Sequence, residues 1–213
     1  DLANESAFAL PTAVGQRLAW MVAAVAVLGA AGLAIPAARH LREAPSPVTF
    51  ETRSDIATPP TNDPISFALS PDGRQIVFVA SGGGPSRLWL RSLASAEAKP
   101  LPCTEGAMYP FWSPDNRSVG FFAESRLKRI DIDGTAALTL ADTPASRGGT
   151  WNQDGVILFG RSTTAPLYRI PASGGDAVAV TKLHRQQSHR FPYFLPDGRH
   201  FLYYAQGSPE TDG

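Results

Sequence analysis

The stretch LSPDGRQIVFVA, at Leu69 to Ala80, is nearly rewritten as WSPDNRSVGFFA at Trp112 to Ala123. It returns in weaker form as WNQDGVILFG (Trp151 to Gly160) and FLPDGRHFLYYA (Phe194 to Ala205). A fixed-period echo means one structural unit used repeatedly. In each copy a Pro-Asp-Gly or related turn precedes a short run of apolar, β-branched and aromatic residues, which is how a hairpin is written. The turn aspartates Asp72, Asp115, Asp154 and Asp197 lie 43, 39 and 43 residues apart. Between successive copies stands a second hairpin pattern, in RLWLRSLASAEAKPL, RLKRIDIDGTAALTL and PLYRIPASGGDAVAV. Four strands per period of about 40 residues predicts the blades of a β-propeller. A single blade cannot bury both its faces, so blades stack and the same apolar positions recur, here Phe78, Phe121, Phe159 and Tyr203. A stack of β-sandwiches would not repeat one turn at so constant a pitch.

The chain has 213 residues, 43% hydrophobic and 18% charged, as a globular core requires. Net charge is zero and the sequence pI near 7.1, so there is no basic field for a nucleic-acid partner. Cys103 is the single cysteine, which excludes an internal disulfide. The chain starts at Asp1 and its last residues follow a strand-like run, so it reads as a piece of something longer.

Three zones precede the repeats. Residues 1–17 form a juxtamembrane tail. Residues 18–38, LAWMVAAVAVLGAAGLAIPAA, carry no charge and match the roughly 20 residues of a transmembrane helix. Trp20 suits one interface, and Arg39, His40 and Arg42 the other. Seventeen preceding residues that include Asp1 and Glu5 argue against a cleaved signal peptide. Arg39 and Arg42 outweigh Arg17, which by the positive-inside rule puts the following segment in the cytoplasm. Residues 39–64, rich in Pro, Thr and Asp, read as an extended linker, and 65–213 as the propeller repeats. The expected architecture is thus all-β, three full blades and a partial fourth in an incomplete circle, preceded by one transmembrane α-helix. Both ends of such a fan should expose an apolar face, and Phe201 and Tyr203 should be less buried than Phe121 and Phe159.

The SPDG wording, with the later Arg-Ile-x-x-x-Gly-Gly phrase in YRIPASGG, resembles the TolB-like, WD40-like propeller repeats of bacterial proteins. The order of span, Pro-rich linker and phrases such as LPCTEGAMYPFWSPDNRSVGFFAESRLKRIDIDG and PLYRIPASGGDAVAVT resembles the C-terminal half of bacterial eukaryotic-like serine/threonine protein kinases. That resemblance implies a kinase domain upstream of Asp1, using ATP and Mg. It also implies a single-pass membrane protein whose propeller lies outside the cytoplasm and senses or docks a protein or peptide, against the charge count. No kinase motif stands in the chain itself: SGGGPS opens no phosphate-binding strand, and HRQ and HRF lack the aspartate of the catalytic loop. TolB-like repeats also accompany winged-helix transcription regulators and prolyl-oligopeptidase-like peptidases, which stand as alternative parents.

No residue is assigned a catalytic or metal-binding role, and no cofactor is expected in this segment. DIDGT at Asp131 to Thr135 lacks the later oxygen ligands of a calcium loop and reads as a turn. His184 and His189 stand five apart without a carboxylate or cysteine in metal register. SRGGTW (Ser146 to Trp151) and QSHRFPYF (Gln187 to Phe194) occupy the same place in the repeat, the loop leading into a blade's first strand. Such loops surround one mouth of the central channel, which makes Arg147, Ser188, His189 and Arg190 the candidate ligand- or partner-binding face. The competing role for the two arginines is to tie neighbouring blades together through carbonyls or carboxylates.

Overall fold

The computed structural model describes residues 20–30, 32 and 58–207. The chain divides into two units, Asp1–Ser54 and Asp55–Gly213. In the first, residues 20–30 are helical, and Trp20, Met21, Val25 and Leu28 are exposed. Among the described residues no helix is long and apolar enough to cross a membrane. Residues 18, 19, 31 and 33–38 of the expected span, and most of the expected linker, lie outside the described residues.

The second unit is all-β. Its strands form four separate antiparallel sheets in chain order. The first holds β1 (Phe67–Leu69), β2 (Gln75–Ala80), β3 (Arg87–Ser92) and β4 (Ala98–Pro100); the second β5 (Met108–Trp112), β6 (Ser118–Ala123), β7 (Arg126–Asp131) and β8 (Leu138–Asp142). The third holds β9 (Gly149–Trp151), β10 (Val156–Gly160), β11 (Leu167–Pro171) and β12 (Val178–Ala179). The fourth is a hairpin of β13 (Ser188–Phe194) and β14 (Phe201–Gln206). This is the expected fan of three four-stranded blades and a hairpin.

Pairing register explains the recurrence. Ile76, Val119, Ile157 and Phe201 oppose Leu69, Trp112, Trp151 and Phe194 respectively, so all four copies use one frame. In that frame Ile76 and Phe78 share one face of a sheet, Val77 and Val79 the other, because side chains alternate with period two. Val77 and Val79 of the first sheet pack with Val119 and Phe121 of the second. Phe122 of the second packs with Ile157 and Phe159 of the third. One face of each blade therefore meets its predecessor and the other its successor, and a fully buried Phe at this seam contributes about 1.5–3 kcal/mol.

The expected exposure of end faces is full at one end and partial at the other. On the last hairpin Leu202 and Tyr204, whose face would meet a successor, are 61% and 57% exposed, whereas Phe121 and Phe159 are fully buried. On the first sheet Ile76, Phe78 and Ala80 are buried, while Phe67 and Leu69 of β1 and Pro100 of β4 are exposed.

The repeated turn is a hydrogen-bonded device with local substitutions. In the first copy Ser70 Oγ donates to Asp72 Oδ1 (2.6 Å) and accepts from Gln75 N (2.9 Å), with Gly73 at φ 70°. The second repeats this with Ser113, Asp115 and Ser118, and Asn116 takes the left-handed position at φ 62°. In the third, a residue shorter, Asn152 Oδ1 accepts from Asp154 N and Val156 N, at 3.1 and 2.9 Å, so Asn152 replaces both Ser and Asp. In the fourth, Leu195 supplies no hydroxyl, and Asp197 Oδ1 accepts from Arg199 N and His200 N, both at 3.0 Å. The four aspartates are turn formers, three through their carboxylates. Ser113→Ala should cost about 1–2 kcal/mol, since the buried Ser118 N–H loses its acceptor and Asp115 its donor. Urea denaturation checks it, and an unchanged midpoint would refute the role.

The fourth turn carries a titratable pair. His200 Nδ1 meets Asp197 Oδ2 at 2.5 Å on the surface. The hydrogen bond from His200 pushes the Asp197 carboxyl well below the usual carboxylate range, and the same bond raises His200 above 6.5. The pair's contribution is complete between the ordinary values of 3.8 and 6.5. It is lost as pH rises through the folded His200 value or falls through the folded Asp197 value. An NMR titration should show His200 titrating above the ordinary histidine value and returning to it in Asp197→Asn; identical curves would show the pair to be absent in solution.

Candidate functional site

The four inner strands β1, β5, β9 and β13 are successive neighbours. Each of the last three begins with a bulge. Opposite Phe121 stand Tyr109 and Pro110, and opposite Tyr203 stand Phe191 and Pro192, with register shifts in both sheets. Gly148 and Gly149 hold the same place in the third sheet. The first residue of each bulge is left-handed: Tyr109 and Phe191 at φ 49°, Gly148 at φ 74°. Two aromatic residues held in that region are strained locally and retained by the sheets around them. The bulge N–H groups also tie sheets together, Tyr109 N to Ser66 Oγ (2.7 Å) and Phe191 N to the Arg147 carbonyl (2.8 Å). Gly148 leaves room for this, as a Cβ there would lie 2.9 Å from Phe191 Cδ1. The Tyr109 and Phe191 rings meet edge to face at 5.8 Å.

Arg147 and Arg190 stand immediately before the bulges at equivalent register, each half-buried. Arg147 Nη1 donates to the Ser146 carbonyl at 2.7 Å. Arg190 Nε donates to Ser188 Oγ at 2.7 Å, and Nη2 reaches the Thr163 carbonyl of the third sheet's loop at 3.4 Å. Among the described residues neither guanidinium has a carboxylate partner. The tie between blades that Arg147 makes runs through its main chain.

Ser188 and His189 belong to the interior. Both are buried; His189 Nδ1 lies 2.8 Å from Thr181 Oγ1, and its ring packs on Tyr203 with centroids 4.6 Å apart. Burial, and then the charge of His184, holds the His189 imidazole below its ordinary value. Thr181 Oγ1 also accepts from Leu167 N (2.9 Å), as Thr104 Oγ1 does from Leu88 N (3.0 Å) in the first sheet. Sequence reasoning missed this threonine after each outer strand, although LPCT, LADT and VT spell it out. In the second sheet Thr143 Oγ1 is buried without a partner among the described residues and borders a cleft of about 240 Å³ shared with Met108, Ser146 and Arg147.

No protein-family model matches the chain, and no curated protein does. Solved structures do. A TolB-type protein from Agrobacterium tumefaciens is 19% identical with a TM-score of 0.60, over 69% of this chain and 56% of that one. TolB from Acinetobacter baumannii is 17% identical with a TM-score of 0.59, over 68% of this chain and 38% of that one. The fold is TolB-like. An oligogalacturonate lyase from Vibrio parahaemolyticus shares it at 14% identity and a TM-score of 0.53, over 68% of this chain and 47% of that one. The chain spans less than two thirds of the length of each of these proteins.

Proposed function

We propose that the TolB-like repeats are a non-catalytic binding or sensing module, tethered by a single membrane span and belonging to a receptor-like bacterial serine/threonine kinase. The observation that carries the binding role is the pair Arg147 and Arg190. They recur at one register beside the inner-strand bulges, and their guanidiniums are directed by backbone and hydroxyl contacts and left free of carboxylates. Donors of that kind take a carboxylate or phosphate group of a partner. The tether is supported by the uncharged run 18–38 and by the exposed apolar side chains of its described helical part. The kinase parent is supported by the order of span, linker and repeat phrases, and the placement of the propeller outside the cytoplasm follows from that order.

The test is protease digestion of spheroplasts that carry the full-length parent. The repeats should be cut from outside, leaving a membrane-held N-terminal fragment that incorporates phosphate from ATP on serine or threonine. Repeats that resist until the membrane is dissolved would refute the topology. A protected fragment that binds DNA and takes up no phosphate would refute the kinase parent in favour of a regulator.

A further inference from the structure

The last hairpin is packed on one face. Leu202 and Tyr204 stand open on the other, and a unit held from one side is the first to open in a stack of sheets. His189 lies in the seam that does hold it. Its main-chain N–H donates to the Ala165 carbonyl, in the loop from β10 to β11, at 3.1 Å, and its Nδ1 meets Thr181 Oγ1 across the same seam. Register shows that the fold itself does not call for a histidine there. Met108, Arg147 and Arg190 are equivalent, each opposite the same position of its second strand, namely Phe122, Gly160 and Tyr204. The residues before them, Ala107, Ser146 and His189, therefore fill one place in three successive seams, and all three are buried. The first two seams close over an alanine and over a serine whose Oγ turns to Met108 Sδ. The third puts a group that can take up charge in the same place.

The surroundings favour the neutral ring. Thr181 Oγ1 already accepts from Leu167 N, so its hydrogen can go to a neutral Nδ1. A proton on Nδ1 makes the hydroxyl accept twice and leaves that hydrogen without an acceptor. The loop after β12 brings Lys182, His184 and Arg185, of which His184 bears on the ring. The loop from β10 to β11 begins with Arg161 and carries no other charge; β9 and β10 have no titratable group, and β11 has Tyr168 and Arg169. The Tyr203 phenol comes from β14, and Arg190 follows on the ring's own strand. None of these is a carboxylate, so an imidazolium here has like charges around it and no counter-ion among the described residues.

We propose that His189 is a proton-operated latch: neutral, it pins the last hairpin to the third sheet through Thr181, and protonated, it releases the hairpin from that sheet. Release brings the ring to water, where it takes a proton at the ordinary 6.5, whereas the docked ring resists protonation. The released form binds more protons, so docking weakens as pH falls through that value. About one unit below it, the docking constant is lower by about tenfold. The latch stands on the seam alone and requires neither the membrane span, the kinase parent nor a ligand on the arginine pair.

The experiment is hydrogen–deuterium exchange of the 213-residue chain in detergent, at about pH 7.5 and about pH 5.5, with rates corrected for intrinsic pH dependence. The reference protein is His189→Gln, which keeps a neutral acceptor for Thr181 and takes up no proton. The His200–Asp197 pair strengthens on the same acidification, the opposite sign, and is present in both proteins, so it cancels. Protection of β13 and β14 in the wild type relative to the variant should fall about tenfold between the two conditions, while that of β6 stays within about twofold. A ratio that does not change overturns the proposal. An equal fall in β6 also overturns it, since the chain would then open as a whole rather than at this seam. An NMR titration of the wild type, which needs no variant, should place His189 below 6.5, and a value at or above 6.5 overturns the latch.

Discussion

Phe159→Ala is expected to destabilise the propeller by about 3–5 kcal/mol, while Tyr203→Ala, at the equivalent register one blade later, should cost only about 1 kcal/mol. Phe159 is fully buried against Phe122 and Leu127 of the preceding blade. Its removal leaves a cavity in a seam closed on both sides by sheet. Tyr203 is 41% exposed, and its ring contacts are His189 and Phe201 within its own hairpin. Urea denaturation of both variants, followed by tryptophan emission, makes the comparison. Equal losses would mean that the last hairpin is packed as tightly as the middle blades, contrary to the structure.

Gly120→Ala should be nearly as damaging, at about 2–3 kcal/mol or more, through crowding. A Cβ on Gly120 would lie 2.3 Å from Phe111 Cζ, and one on Gly149 would lie 2.6 Å from Cε1 of the same ring. Phe111 thus fills the space that two glycines on adjacent sheets leave open. Phe111→Ala alone also destabilises, by opening that space. Combined with Gly120→Ala it should cost at least about 1 kcal/mol less than the two single changes together, since the added methyl then has room. Strict additivity in the double-mutant cycle would show that the ring does not lock the two sheets.

Much of this architecture was legible because it rests on local rules. Ser-Pro-Asp-Gly writes its own turn, and the apolar run after it writes a strand buried on both faces, as β6 is. The third turn still formed with one residue fewer, because Asn152 carries both acceptor roles in one side chain. The bulges were not legible. Nothing local pushes Tyr109 or Phe191 to positive φ; the pairing on either side forces them there. The side-chain directions of the candidate site were lost for the same reason. Ser188 and His189 are consecutive residues of β13 itself rather than of a loop leading into it, and with both faces of the strand covered there both are buried, so two of the four named residues turn inward.

The turns themselves are linked in couples. Asp72 N donates to Asn116 Oδ1 (3.1 Å), joining the first turn to the second, and Asn152 Nδ2 donates to the Gly198 carbonyl (2.9 Å), joining the third to the fourth. Among the described residues no such bond joins the second turn to the third, where a cleft of about 490 Å³ lies between Asp115 and Gln153. Mechanically the rim is two stiff arcs with a compliant joint. A tangential load on this rim would be taken up at that joint first, and the hydrophobic seam beneath it, with Phe111 wedged between two glycines, would act as the spring that restores it.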